Sequence, residues 1–299
     1  MQALWMVLGA FFFASMAVCV KLASAWFNAA ELVFFRGLLG MGLLWFVARR
    51  QGVGLGTAYP GMHVWRSLIG VLGMGTWFYA IAGLPLATAM TLNYMSSVWV
   101  AAFIIGGSLL AWNPREGIGA LLRQGPLTLT VLAGFAGVVL MLRPTLDRDQ
   151  LMAALVGLMT GLTAAFAYLQ LMALGKLGEP ESRTVFYFAV GSTVAGGLGM
   201  LAIGHSPWPG WPALWLLPMG LFASAGQLCL TRAYSHGATL VVASLQYSGI
   251  VFGAFYSLLL FGDTIAPSGW VGMSLIVASG LAATALRARA APHAPAEEH

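Results

Sequence analysis

The sequence predicts an all-α polytopic membrane protein: ten transmembrane helices, arranged as two inverted five-helix repeats around a central cavity. Three observations predict it. With 60% apolar and 8% charged residues and a mean hydropathy of +0.85, the chain cannot fold as a globule with a polar skin. Its apolar residues fall in continuous runs near the roughly 20 that a helix needs to cross about 30 Å of hydrocarbon, without the alternation of a barrel strand. Finally, the chain overlays itself without a gap when shifted by 153 residues.

The spans are taken in order. Ala3–Val20 is closed by Lys21, and no basic residue precedes it, so it is expected to stay in the mature protein as no cleavable signal would. Leu32–Ala48 carries Arg36 and ends at Arg49 and Arg50. Leu68–Gly83 and Leu86–Leu109 divide the uncharged run from Ser67 to Pro114. The joint "AWNPREGIGALLRQGP" leads to Leu127–Leu142, and the second half follows with Leu151–Leu174, Val185–Ile203, Ala213–Ala233, Ala238–Leu260 and Val271–Leu286. Residues 1–143 form the first repeat, 150–287 the second, and 288–299 a disordered cytoplasmic tail.

Basic residues orient these spans. Arg49, Arg50, Arg66, Arg115, Arg123, Lys176, Arg183, Arg232, Arg287 and Arg289 fall in joints on the N-terminal side, against Lys21, Arg143 and Arg148 on the other. Ten against three places both termini in the cytoplasm of a multi-pass protein of the cell (inner) membrane. The joint "GHSPWPGWP" then faces outward, with Trp208, Trp211 and Trp215 in an interfacial belt. The net charge of +5 is thus membrane topology, and without a clustered basic face no nucleic acid is an expected partner. Cys19 and Cys229 both lie inside spans, which offers no disulfide framework and no metal site. No cofactor is expected.

The shift by 153 residues lays Ala80–Phe103 over Ala233–Tyr256, with five of 24 positions identical, and Thr91-Leu92-Asn93-Tyr94 over Ser244-Leu245-Gln246-Tyr247. An odd number of spans in each half makes the halves inverted copies, an architecture of transporters whose substrate site lies near the membrane midplane. On a continuous helix Met90, Asn93, Tyr94 and Ser97 share a face, as do Ala243, Gln246, Tyr247 and Ile250. The eighth span carries Ser224, Gln227, Thr231 and Tyr234 in one stripe, the third Thr76 and Tyr79, and the sixth Thr163, Ala167 and Gln170. Trp77 and Trp99, deep in their spans, are either cavity walls or anchors. These residues line a polar and aromatic cavity or tie helices together; the repeat symmetry favours the cavity for Asn93, Tyr94, Gln246 and Tyr247. Gly70, Gly73, Gly134, Gly137, Gly196 and Gly280 are read as sites of close helix approach.

A charge inside lipid costs at least about 2.5 kcal/mol on the insertion scale, and only Arg36 and Lys21 carry one. Arg36 either holds a substrate carboxylate or anchors its helix, to Glu31 or a helix end; its shallow depth favours the anchor. All nine acidic residues and all five histidines fall in joints, span ends or the tail. Without a buried acid the exchange of organic cations for protons loses its usual carrier, and the cavity is expected to suit a neutral or zwitterionic amphiphile.

The segments "VKLAS", "ELVFFRGLLG" and "LPLATAMTLNYMSSVWVAAF" in the first half, with "ASLQYSGIVFGAFYSLLLFGD" and "GWVGMSLIVASGLAA" in the second, resemble the EamA type of the drug/metabolite transporter superfamily. The first half departs from that pattern, with Ser108-Leu109-Leu110 where Gly262-Asp263 would recur. The resemblance implies export of small metabolites, amino acids and aromatic amino acids prominently among them, with nucleosides, sugars or drugs as alternatives. The candidate substrate-binding residues are Tyr79, Asn93, Tyr94, Trp99, Gln227, Gln246, Tyr247, Trp77, Tyr234 and Arg36, with no catalytic and no metal-binding residue. The expected partners are a small-molecule substrate and the lipid bilayer, and the expected unit is a monomer. An intramembrane enzyme would need a convergent acid, base or metal, and a channel a polar ring repeated by oligomeric symmetry. Neither pattern is present in the sequence.

Overall fold

The computed structural model describes residues 4–96, 98–99, 106, 110, 125–142, 148–236, 242 and 245–290. Among them are ten α-helices: α1 (Leu4–Ala23), α2 (Ala29–Arg50), α3 (Pro60–Gly83), α4 (Leu86–Asn93), α5 (Gly125–Leu142), α6 (Arg148–Lys176), α7 (Glu181–Ile203), α8 (Leu216–His236), α9 (Ser248–Leu260) and α10 (Pro267–Ala290). A short 3-10 turn, Trp211–Trp215, precedes α8. Five helices, α1, α2, α6, α7 and the unit made of this turn and α8, are long and apolar enough to cross a membrane. This is a multi-pass helical membrane protein.

Helix ends follow local chemistry. Asn28 and Glu31 form a reciprocal capping box, Glu31 N–H donating to Asn28 Oδ1 (3.0 Å) and Asn28 N–H to Glu31 Oε2 (2.7 Å), which starts α2. Pro60 and Pro267 open α3 and α10, where the missing N–H has no helical acceptor in any case. Gly204, at φ 84°, ends α7 in a conformation open to glycine.

The largest departure from the expected helices lies at the duplicated motif. Continuous spans are expected over Leu86–Leu109 and Ala238–Leu260, whereas α4 stops at Asn93 and α9 starts only at Ser248, with turns at Tyr94–Met95 and at Gln246–Tyr247. The backbone tightens there to i→i−3 bonding. Tyr94 N–H donates to Thr91 (3.1 Å) and Met95 N–H to Leu92 (3.2 Å), while Gly249 N–H donates to Gln246 (3.1 Å) and Ile250 N–H to Tyr247 (3.0 Å). A 3-10 turn lets a helix break at depth without stranding these N–H groups. Ser97, Ala243, Ser244, Ser108, Leu109, residues 111–124 and the tail from residue 291 lie outside the described residues.

Every described helix makes its most extensive packing with one partner across the chain: α1 with α8, α2 with α7, α3 with α6, α4 with α9 and α5 with α10. Between α2 and α7 the backbones nearly touch, since a Cβ on Gly37 would lie 2.6 Å from Thr193 N and one on Gly196 2.5 Å from Phe34 N. Glycine at both positions permits the approach.

The joints gather at two ends. At one, Glu179 accepts from Thr57 Oγ1 (2.7 Å) and Arg183 Nη1 (3.2 Å) and lies 3.6 Å from His63, which stacks on Tyr187. At the other, Glu31 accepts from Ser206 N–H (2.7 Å) and Ser206 Oγ (2.8 Å), and Trp208 packs on Phe27 and Phe35.

Candidate functional site

The break after Asn93 adjoins a cavity of about 90 Å³ between helices drawn from both halves of the sequence. Its walls carry Phe13 and Met16 from α1, Arg36 from α2, Arg66, Gly70, Met74 and Trp77 from α3, and Asn93 and Tyr94 from the end of α4. Opposite them stand Thr160, Thr163 and Tyr168 on α6, Phe188 on α7, and Gln227 and Leu230 on α8. Of the candidate residues, Arg36, Trp77, Asn93, Tyr94 and Gln227 are therefore brought together. Tyr94 presses its ring against Gly249 on α9, where a methyl would collide with the phenol.

Gln246 and Tyr234 stand one layer behind the wall. Tyr234 donates its hydroxyl to Gln246 Oε1 (2.7 Å), Gln246 Nε2 donates to the hydroxyl of Tyr168 (3.0 Å), and the two rings stack at 4.8 Å. Gln246 thereby fixes the tyrosine that faces the cavity. Tyr247 is buried with its hydroxyl against Gly280 of α10, and Trp99 donates its indole N–H to the Leu158 carbonyl (3.1 Å). Neither is a wall of this cavity.

Tyr79 is 46% exposed and continues the outward stripe of Leu68 and Leu72, which places its ring away from the cavity. Thr76 returns its hydroxyl to the Leu72 and Gly73 carbonyls of its own helix.

The charges differ from expectation. Arg66, expected in a cytoplasmic joint, is 3% exposed and lines the cavity. Removing it leaves nine basic residues against three in the orientation count. Arg36 does not pair with Glu31, whose carboxylate is taken up by Asn28 and Ser206. Instead both guanidiniums stack on one ring, Arg36 Cζ 5.1 Å and Arg66 Cζ 4.4 Å from the Phe188 centroid. Gly70 makes room for the pair, because a methyl there would strike Arg66 Nη1 and the Phe188 ring. Lys21 is half-buried and donates its Nζ to the Leu84 carbonyl.

One signal for Arg66 was available in the sequence. Val64, Trp65, Leu68 and Leu72 form an apolar face, exposed here at 57–60%, and a residue at 66 on the same helix points the other way. Among the described residues no group of His, Cys, Asp and Glu is arranged to hold a metal.

No family model matches the chain. It is 32% identical over 283 residues to the pseudopaline exporter CntI of Pseudomonas aeruginosa, covering 92% of this chain and 93% of that protein. It is 29% identical over 287 residues to a riboflavin transporter of Rhizobium johnstonii (93% and 89% covered), and 25% identical over 244 residues to human solute carrier family 35 member G1 (76% and 63%). A solved crystal structure with 16% identity superposes with a TM-score of 0.67 over 97% of this chain and 98% of that one, which shows the fold. With a third of its residues shared along nearly the whole length of both proteins, the chain belongs to the transporter family of the pseudopaline exporter.

Proposed function

We propose that this protein exports small amphiphilic metabolites, amino acids and their derivatives among them, by alternating access of two inverted five-helix repeats. The observation that carries the reading is the pairing of helices. The partnerships α1 with α8 and α3 with α6 exchange when each helix is replaced by the one five places away, while α2 with α7, α4 with α9 and α5 with α10 map onto themselves. Such a contact pattern is expected of two copies related by a two-fold axis in the membrane plane. The two turns at Tyr94–Met95 and Gln246–Tyr247 overlap at Tyr94 and Tyr247 in the 153-residue register, and broken helices at the repeat interface are where transporters of this architecture bind substrate.

On this reading all ten helices cross the membrane, both termini are cytoplasmic, and the protein works as a monomer in the cell membrane. A cavity of about 90 Å³ is smaller than the roughly 300–1,000 Å³ of ligand pockets, so a metabolite enters only as the two copies rock apart. Asn93 and Gln227 offer both donors and acceptors to a polar head, while Trp77, Tyr94 and Phe188 receive its apolar part. The relatives named for pseudopaline and riboflavin handle different metabolites, so the walls of the site decide the substrate.

The test is counterflow of labelled amino acids, nucleosides and sugars in proteoliposomes. Wild-type protein is expected to accumulate at least one of them against unlabelled solute, without stoichiometric proton movement, because among the described residues no carboxylate or histidine lines the cavity. Tyr94→Ala is expected to raise the half-maximal concentration by the equivalent of about 1–3 kcal/mol. No counterflow of any metabolite, in protein that is folded and correctly inserted, would reject the transport reading.

A further inference from the structure

The cavity holds an imbalance that amino acid export alone does not explain. Its buried polar atoms without a protein partner are Arg36 Nε, Arg66 Nε, Arg66 Nη1 and Trp77 Nε1, and all four are N–H donors. Three of them belong to guanidiniums that stay charged at any physiological pH. Arg36 and Arg66 are 6% and 3% exposed.

Among the described residues, three acids are engaged elsewhere. Glu31 is held by Asn28 and Ser206, Glu179 by Thr57 and Arg183, and Asp263 by Ser257 Oγ (2.5 Å). Among the described residues no ion pair reaches either arginine. Two like charges share a ring in a low-dielectric site, where each raises the free energy of the other.

Phe188 defines how the pair is presented. The ring offers the guanidiniums no acceptor in their N–H planes, Arg36 Nε, Arg66 Nε and Arg66 Nη1 stay without a partner, and such N–H edges match the two oxygens of a carboxylate. The 5.1 and 4.4 Å distances to one centroid together cap the separation of the two guanidinium carbons at 9.5 Å. Both edges therefore fall within reach of one small molecule.

Resting on the transport reading and deepening it, we infer that Arg36 and Arg66, clamped on Phe188, bind an organic anion that carries two neighbouring acidic groups. Acidic amino acids and their derivatives satisfy both this site and the amphiphile expected of the cavity. The bound anion supplies the acceptors that the four orphaned donors lack, and it removes the repulsion between the two cations. Export of such a solute carries the neutralising charge across with it.

The experiment measures the thermal melting of the purified full-length protein at constant ionic strength, with malonate, succinate, glutarate or inorganic phosphate replacing chloride. At least one of the three diacids is expected to raise the Tm of the wild type above the chloride control, with an optimum chain length that reports the spacing of the two guanidiniums. Arg36→Gln and Arg66→Gln are each expected to lose that gain at least tenfold in half-effective concentration, and Arg66→Lys to keep part of it. If the glutamine variants do not fold, the wild-type chain-length series decides alone. Equal melting in all four anions and chloride overturns the proposal, and so does stabilisation by phosphate without any diacid. The two readings fail separately: counterflow of a neutral solute without diacid stabilisation leaves a transporter without the anion site, whereas diacid stabilisation with no counterflow of any solute leaves an anion site without transport.

Discussion

Gln246 is a buried amide with a partner at each end, and the consequence reaches the cavity although the side chain does not. Its Nε2 supplies the donor for Tyr168, a wall residue, and its Oε1 accepts from Tyr234. Gln246→Leu is expected to lower stability by about 1–3 kcal/mol, read as a fall in Tm, because the Tyr168 hydroxyl loses its donor inside the protein. Gln246→Glu, which keeps the acceptor and loses the donor, is expected to release Tyr168 with less damage to Tyr234. Residue types at the site were thus legible, but their depth was not. Asn93, Tyr94, Trp77 and Gln227 reach the cavity as polar or aromatic residues inside apolar helices should, whereas Arg66 was lost because a basic residue two places before an apolar run reads as the end of a span. Tyr79 was misplaced for the opposite reason. Sharing a helical face with Thr76 says that two residues point together, without saying which way, and the direction is set by Leu68 and Leu72 beside it.

Helices are the level at which the sequence speaks most clearly, since lipid requires each segment to satisfy its own backbone and so rewards continuous apolar runs. Eight of the ten expected spans have a counterpart among the described helices, with shifted ends, whereas of the fourth and ninth α4 and α9 cover only a part. The first break is not legible in the sequence, because Thr91-Leu92-Asn93-Tyr94-Met95 contains neither glycine nor proline; in the fold Tyr94 seats there on Gly249 of another helix. The arrangement of joints is testable by labelling. Gln51 at the end of α2 and His205 after α7 are exposed at opposite ends of the bundle, while Cys19 and Cys229 are buried. A cysteine at Gln51 is expected to react with an impermeant thiol reagent only from the cytoplasmic side, and one at His205 only from outside. Reaction of both from the same side would rule out the inverted arrangement.

Taken as a whole, the molecule has no half that is complete by itself. The chain up to α5 finds its most extensive packing in α6 to α10, helix by helix, and Arg36 and Arg66 find their shared ring only on α7. Residues 1–145 and 146–299 expressed alone are therefore expected to be degraded, and expressed together as two chains to assemble and be recovered as a complex. Stable accumulation of either fragment alone would show that the pairing matters less than it does here. The same interleaving has a consequence in time. At about 5–20 residues per second, the ribosome needs on the order of ten seconds after α5 to deliver the remaining helices. During that interval the inserted segment waits in the bilayer with partner faces still open, and until α7 arrives its two guanidiniums lack their ring, a window in which membrane quality control can distinguish a stalled chain from a finished one.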